Sequence, residues 1–97
     1  MKKLLILSTI LFSFSVFAQS PEEVFNKTCS MCHRTGVGGA PIVGNSKDWA
    51  PRIAKGMDTL VEHTSNGIGI MPPKGGGKDL TTDQLQAVIE YMVNKSK

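Results

Sequence analysis

Cys29-Ser30-Met31-Cys32-His33 constrains the fold more than any other stretch of this 97-residue chain. Cysteines at positions i and i+3 share one face of a helical turn, and a histidine directly after the second completes the attachment pattern for a c-type haem. Both thiols can then add across the two vinyl groups on one edge of the porphyrin, with His33 beneath the iron as its proximal ligand.

Other uses of these residues fit less well. A structural zinc site needs four ligands, and the chain's cysteines and histidines are Cys29, Cys32, His33 and His63 alone. Adjacent residues such as Cys32 and His33 rarely aim at one metal. A thioredoxin-like redox pair calls for strand-helix-strand surroundings, and almost no strand pattern is present. A disulfide between Cys29 and Cys32 would close too short a loop to stabilise much, and it would leave His33 without a role.

The first 18 residues point to the same chemistry from another direction. Lys2 and Lys3 precede an apolar run from Leu4 to Phe17, and Val16-Phe17-Ala18 resembles a small-residue cleavage site. The run is shorter than the roughly 20 residues a spanning helix needs. A cleaved secretory signal peptide over 1–18 and one domain over 19–97 are therefore expected, with a periplasmic location. Covalent haem attachment of this kind also takes place outside the cytoplasm, where a free cysteine pair would otherwise oxidise.

A domain of about that size has a marginal core and usually relies on a metal, a disulfide or an equivalent staple, and a covalent haem supplies the missing apolar bulk. Loss of Lys2 and Lys3 with the leader takes the formal charge from +3 to +1, which is no footprint of nucleic-acid binding.

Beyond the leader, helices alternate with glycine-rich loops. Ser20-Pro21-Glu22-Glu23 opens a first helix as N-cap, first-turn proline and capping-box acid, and the Cys29–His33 motif closes it. Gly36 to Gly44 forms a loop. Asp48 to Lys55 and Asp58 to Thr64 read as two short helices, and Asn66 to Lys78 as a second loop. Thr81 or Thr82 can cap the last helix, in which Leu85, Val88, Ile89, Met92 and Val93 form one apolar stripe.

Loop context favours Met71 as the sixth iron ligand. Pro72 and Pro73 stiffen the backbone there, and flanking glycines allow close approach to a flat ring. A thioether favours ferrous iron and raises the reduction potential. Met92, on the apolar stripe, and Met57, beside a helix start, read as core filling. His63, between Glu62 and Thr64, is the rival ligand but reads as a solvent-facing histidine; an open sixth site is the remaining alternative.

Taken together, the residues from 19 onward resemble a small class I cytochrome c, most closely the bacterial c5 type. The resemblance runs through Phe25, the Cys29–His33 motif, the Gly-Ala-Pro at 39–41, Trp49, Arg52, Met71-Pro72-Pro73-Lys74-Gly75-Gly76, Leu80-Thr81, and Ala87-Val88 with Tyr91. It implies an all-α fold of helices and Gly/Pro-rich loops wrapped around one covalent haem c, with the first and last helices crossing near Phe25 and Tyr91. It further implies that the Pro41 carbonyl accepts a hydrogen bond from the His33 ring, and that Trp49 and Arg52 lie near the haem propionates. Without the resemblance, Trp49 would read as core filling and Arg52 as a solvated helix charge. Some c5-type proteins carry an extra cysteine pair after the Met71 loop; here Gly77, Lys78 and Asp79 follow instead.

The implied function is that of a one-electron carrier between redox proteins of a respiratory chain, not an enzyme, with an electron donor and an acceptor as partners and no stable membrane insertion after cleavage. A dedicated haem subunit of a larger oxidoreductase and, further off, a haem enzyme or sensor with an open sixth site are the alternatives. Ile42, Val43, Ile68 and Ile70, rimmed by Lys47, Lys74 and Lys78, are the expected docking face around the haem edge.

Overall fold

In this computed structural model residues 19–97 are described, so the expected signal peptide over 1–18 lies outside the described residues. The first helix begins at the Ser20 capping box: Ser20 Oγ accepts the Glu23 N–H at 3.2 Å and the Glu23 carboxylate accepts the Ser20 N–H at 3.0 Å. Those two bonds satisfy donors that a helix N-terminus otherwise leaves open. Helix α1 (Pro21–Val24) then passes through a π-helical turn, Phe25–Cys29, into α2 (Ser30–His33). The sequence predicts one α-helix here; the difference is a register in which the Ser30 N–H reaches the Phe25 carbonyl five residues back. Single π turns of this kind occur mostly at functional sites. The wider turn keeps Phe25, Cys29 and His33, spaced by four, together on the buried side.

Helix α3 (Ser46–Ile53) starts two residues earlier than the charge pattern indicates, because Asn45 is its cap, with Oδ1 accepting the Asp48 N–H at 3.1 Å. Helix α4 (Met57–Asn66) is longer at both ends than expected and is bracketed by Gly56 and Gly67, both at positive φ. Helix α5 (Thr82–Asn94) is capped by Thr81 in a box with Gln84. Among the described residues the backbone pairing outside helices is one isolated bridge, Ile68 with Met71, and there is no strand.

The expected stripe on α5 is buried throughout, and it meets the α1–α2 segment in a crossing where the Phe25 and Tyr91 rings lie 5.7 Å apart, tilted by 46°. Each fully buried side chain of this kind contributes about 1.5–3 kcal/mol, so the crossing is the mechanical centre of the domain. Ile53 of α3 and Met57, Leu60 and Val61 of α4 pack on the same cluster. Ile89 and Met92 belong to this core and also border the cavity described next. No helix among the described residues is long and apolar enough to cross a membrane.

Candidate haem site

Two adjoining cavities of about 410 and 230 Å³ open between α2, α3, α4, α5 and the loop carrying Met71. His33, Pro41, Arg52, Ile68 and Met71 line both, so a single flat group can span them. The α2 wall holds Cys32 on the smaller cavity, and both Cys29 and Cys32 are free thiols. Burial, and then the neighbouring Cys32, pushes the Cys29 thiol up to about 11. Cys29 itself is buried behind that wall and lines neither cavity.

His33 is buried, at 7 % exposure, and its Nδ1 lies 2.9 Å from the Pro41 carbonyl oxygen. With Nδ1–H donating there, the Nε2 lone pair is left for a metal. Across the cavity Met71 is half-buried and held in a reverse turn: its N–H donates to the Ile68 carbonyl at 2.9 Å, and the Ile68 N–H returns a bond to the Met71 carbonyl at 3.0 Å. Gly69, at φ +58, makes the turn possible. Gly67, at φ +85, has no room for a side chain, since a Cβ would lie 2.9 Å from the Met71 carbonyl oxygen. The reach of Met71 into the cavity thus depends on backbone that only glycine fits.

The structure brings the other expected residues to the same place. Trp49 lines the larger cavity, its ring 5.9 Å from that of His33, and its Nε1–H donates to the Ile42 carbonyl at 3.0 Å. That bond uses its one donor and holds the ring in the cavity wall. Arg52 lines both cavities, with Nη1 on the Asp48 carbonyl. Ile89 and Met92 close the α5 side, and both also belong to the buried core.

Two expectations need correction. His63 is half-buried and lines the larger cavity with Leu60 and Thr64, where the sequence suggests a solvent-facing residue. The signal was present: positions 60, 63 and 64 share one helical face, but the polar neighbours Glu62 and Thr64 favoured the solvent-facing reading. Lys55 also reaches that cavity. Lys74, expected as a free rim charge, has left-handed backbone (φ 58) and its Nζ donates to the Leu80 carbonyl at 2.8 Å, so it clasps its own loop. Of the expected apolar docking residues, Ile68 and Ile70 are exposed at 49 and 77 %, while Val43 packs against the core.

A family model described as cytochrome C oxidase, cbb3-type, subunit III matches residues 17–92. The chain is 43 % identical over 89 residues to cytochrome c-555 of Chlorobaculum tepidum, covering 88 % of this chain and 82 % of that one. It is 43 % identical over 77 residues to cytochrome c5 of Azotobacter vinelandii, covering 77 % and 93 %. The chain belongs to the class I monohaem c-type cytochromes. The fold of this cytochrome agrees: a mono-heme ferrocytochrome c from Shewanella putrefaciens superposes with TM-score 0.71 at 46 % identity, covering 81 % of this chain and 96 % of that one. A cytochrome c solved in an electron transfer complex with nitrite reductase superposes with TM-score 0.76 at 35 % identity, covering 79 % and 94 %. The cytochrome accordingly binds one covalent haem c and is an electron-transfer protein, not an enzyme.

The cavity fits that group on its own terms. Its walls are mainly apolar, its cationic residues Arg52 and Lys55 are from α3 and the turn after it, and a nitrogen and a sulfur donor, His33 and Met71, line the shared part of the space.

Proposed function

We infer that this cytochrome carries single electrons between redox proteins of a respiratory chain in the periplasm, with His33 and Met71 as axial ligands and Cys29 and Cys32 as the thioether anchors. The observation that carries this reading is that His33 and Met71 line both cavities while Nδ1 of His33 is taken up by the Pro41 carbonyl. Haem c, when bound, supplies an iron that changes valence by one electron. The protein's part is to hold both ligands through that change. His33 is oriented by Pro41, Met71 by the Ile68 turn, and the α5 stripe excludes water from the space between them. Arg52 and Lys55 line the cavity and would offer positive charge to the carboxylates of the bound group.

The residues before 19 support export and cleavage near Ala18. The c-type relative caught with nitrite reductase supports exchange with a separate redox enzyme through brief docking. Docking would use the exposed Ile68 and Ile70 with Lys78 at the rim, since Lys74 is engaged within its loop. A second reading, a dedicated haem subunit of a larger oxidoreductase, draws on the oxidase-subunit description of the matching family. Purification from native extract separates the two: the carrier elutes as a small soluble species, the subunit with its enzyme. For the ligands, the near-infrared sulfur-to-iron band of the oxidised holoprotein is decisive. It should be present in wild type and lost in Met71→Ala, whereas loss in His63→Ala with Met71→Ala unaffected would overturn the assignment.

A further inference from the structure

Ser96 lies two residues beyond α5, between exposed Lys95 and Lys97, yet is 1 % exposed. A buried hydroxyl is costly unless both its donor and its acceptor capacities are used. Here both are: Oγ donates to the Met92 carbonyl at 2.7 Å and accepts the Gly44 N–H at 2.9 Å, joining positions 52 residues apart.

What Gly44 belongs to gives that contact its meaning. The segment 41–44 begins with the carbonyl that receives the His33 ring and is held at each following residue. The Ile42 N–H donates to Asp48 Oδ2 at 3.2 Å, the Ile42 carbonyl accepts Trp49 Nε1–H at 3.0 Å, and the Val43 N–H donates to the His33 carbonyl at 2.8 Å. Helices α2 and α3 thus fix its beginning and middle, and the end of α5, through Ser96, fixes its close. A short segment tied at both ends cannot swing its first carbonyl. Release at Gly44 would leave the bonds at Ile42 and Val43 and remove the tie to the end of α5, so the first carbonyl would be held less closely.

We propose that Ser96 is a positioning residue for electron transfer: from the end of α5 it holds the 41–44 segment in the register that keeps the Pro41 carbonyl on Nδ1 of His33. The inference rests on His33 being the proximal ligand. A carbonyl held on Nδ1–H makes the imidazole more basic and stabilises the oxidised iron. Loosening it shifts the potential upward and lets the Nδ1 proton exchange with solvent.

The test uses the reduced holoprotein. Its readouts are the NMR exchange rate of the His33 Nδ1 proton and the reduction potential, in wild type, Ser96→Ala, Ser96→Thr and Val93→Ala. Val93 is a buried α5 neighbour whose side-chain truncation weakens packing but keeps its backbone carbonyl, which accepts the Ser96 N–H at 2.9 Å. Ser96→Ala should speed exchange about fivefold, the factor that one hydrogen bond of ~1 kcal/mol represents, and raise the potential. Ser96→Thr, which keeps the hydroxyl, should restore both, and Val93→Ala should move neither. Should Ser96→Ala prove too unstable to purify, Asp48→Ala frees the adjacent Ile42 N–H and must produce the same pair of changes. Equal responses from Ser96→Ala and Val93→Ala, or none from either Ser96→Ala or Asp48→Ala, would overturn the proposal. A wild-type His33 ring lacking the haem ring-current shift would sink the ligation reading and the proposal with it. A shifted ring indifferent to Ser96 would sink the proposal alone.

Discussion

The two walls of the haem cavity are built differently. On one side His33 is buried and its supporting segment is hydrogen-bonded to residues of α2, α3 and the end of α5. On the other side Met71 is half-buried and held by a local turn, a tight glycine and a lysine clasp, all between Gly67 and Leu80, with Ile68 and Ile70 open to solvent. One wall draws its rigidity from tertiary contacts and the other from local backbone geometry. Local unfolding free energy follows buried contacts and non-local bonds, so the Met71 wall is the one that opens first. It is also the wall that a docking partner would meet.

The strongest way to test whether either wall stands alone is to remove the group between them. A Cys29→Ser/Cys32→Ser double variant, without covalent attachment, is expected to lose its unique tertiary structure, because two long loops would have nothing to wrap. Dispersed amide NMR signals and a cooperative unfolding transition in that variant would count against this.

Ligand exchange sharpens the contrast next. Met71→His should keep covalent haem and a folded domain while lowering the potential by a sizeable share of the roughly 0.8 V span that axial ligands command. His33→Ala should compromise holoprotein assembly itself. Voltammetry and the yield of haem-stained protein compare the two; equal yields would show the walls to be equivalent.

Gly67→Ala in the Met71 wall and Gly39→Ala in the 36–44 loop separate contact from strain. Both positions have positive φ, +85 and +82, but only at Gly67 would the new Cβ meet neighbours, whereas at Gly39 nothing lies within 4 Å. Gly39→Ala should cost about 1–2 kcal/mol of unfolding free energy from left-handed backbone alone. Gly67→Ala should cost more and also weaken the sulfur-to-iron band. Equal costs with an unchanged band would mean that the turn at Met71 tolerates the displacement.

The smallest expected effect is on pH dependence at the start of the His33 wall. The Ser20 backbone N–H, then its hydroxyl, holds the Glu23 carboxyl below its ordinary range. A depressed carboxyl contributes stability that is fully present above the unfolded-state value and is lost as pH falls through the folded-state value. Thermal unfolding of Glu23→Gln against wild type should therefore converge at acid pH and differ slightly at neutral pH. A difference that grows toward acid would reverse the assigned sign.

Much of this molecule was legible from residue types and spacings. The Ser20 cap, the stripe from Leu85 to Val93 and the Cys29–His33 motif all act within one or two helical turns and were readable locally. The cap of the last helix stayed open between Thr81 and Thr82 until the structure showed Thr81. Helix starts set by side-chain caps were harder. Asn45 competed with the charged Asp48, and the first boundary moved accordingly.

His63, Trp49, Lys74 and Ser96 mark where local reading ended. The side of α4 that His63 occupies depends on how α4 rests against α5, and the partner of Trp49 Nε1 is a carbonyl seven residues back in a loop with no periodicity. The lysine clasp requires left-handed backbone at Lys74, a conformation that residue type alone does not announce. Ser96 bonds across 52 residues. The chain alone therefore determined the cofactor, the helices and the ligand candidates, because covalent spacing and periodicity are properties of neighbours. The tertiary structure alone decided which wall of the cavity is tied to the whole domain and which to its own loop. Non-local hydrogen bonds exist only once distant segments have been brought within 3 Å or so of one another.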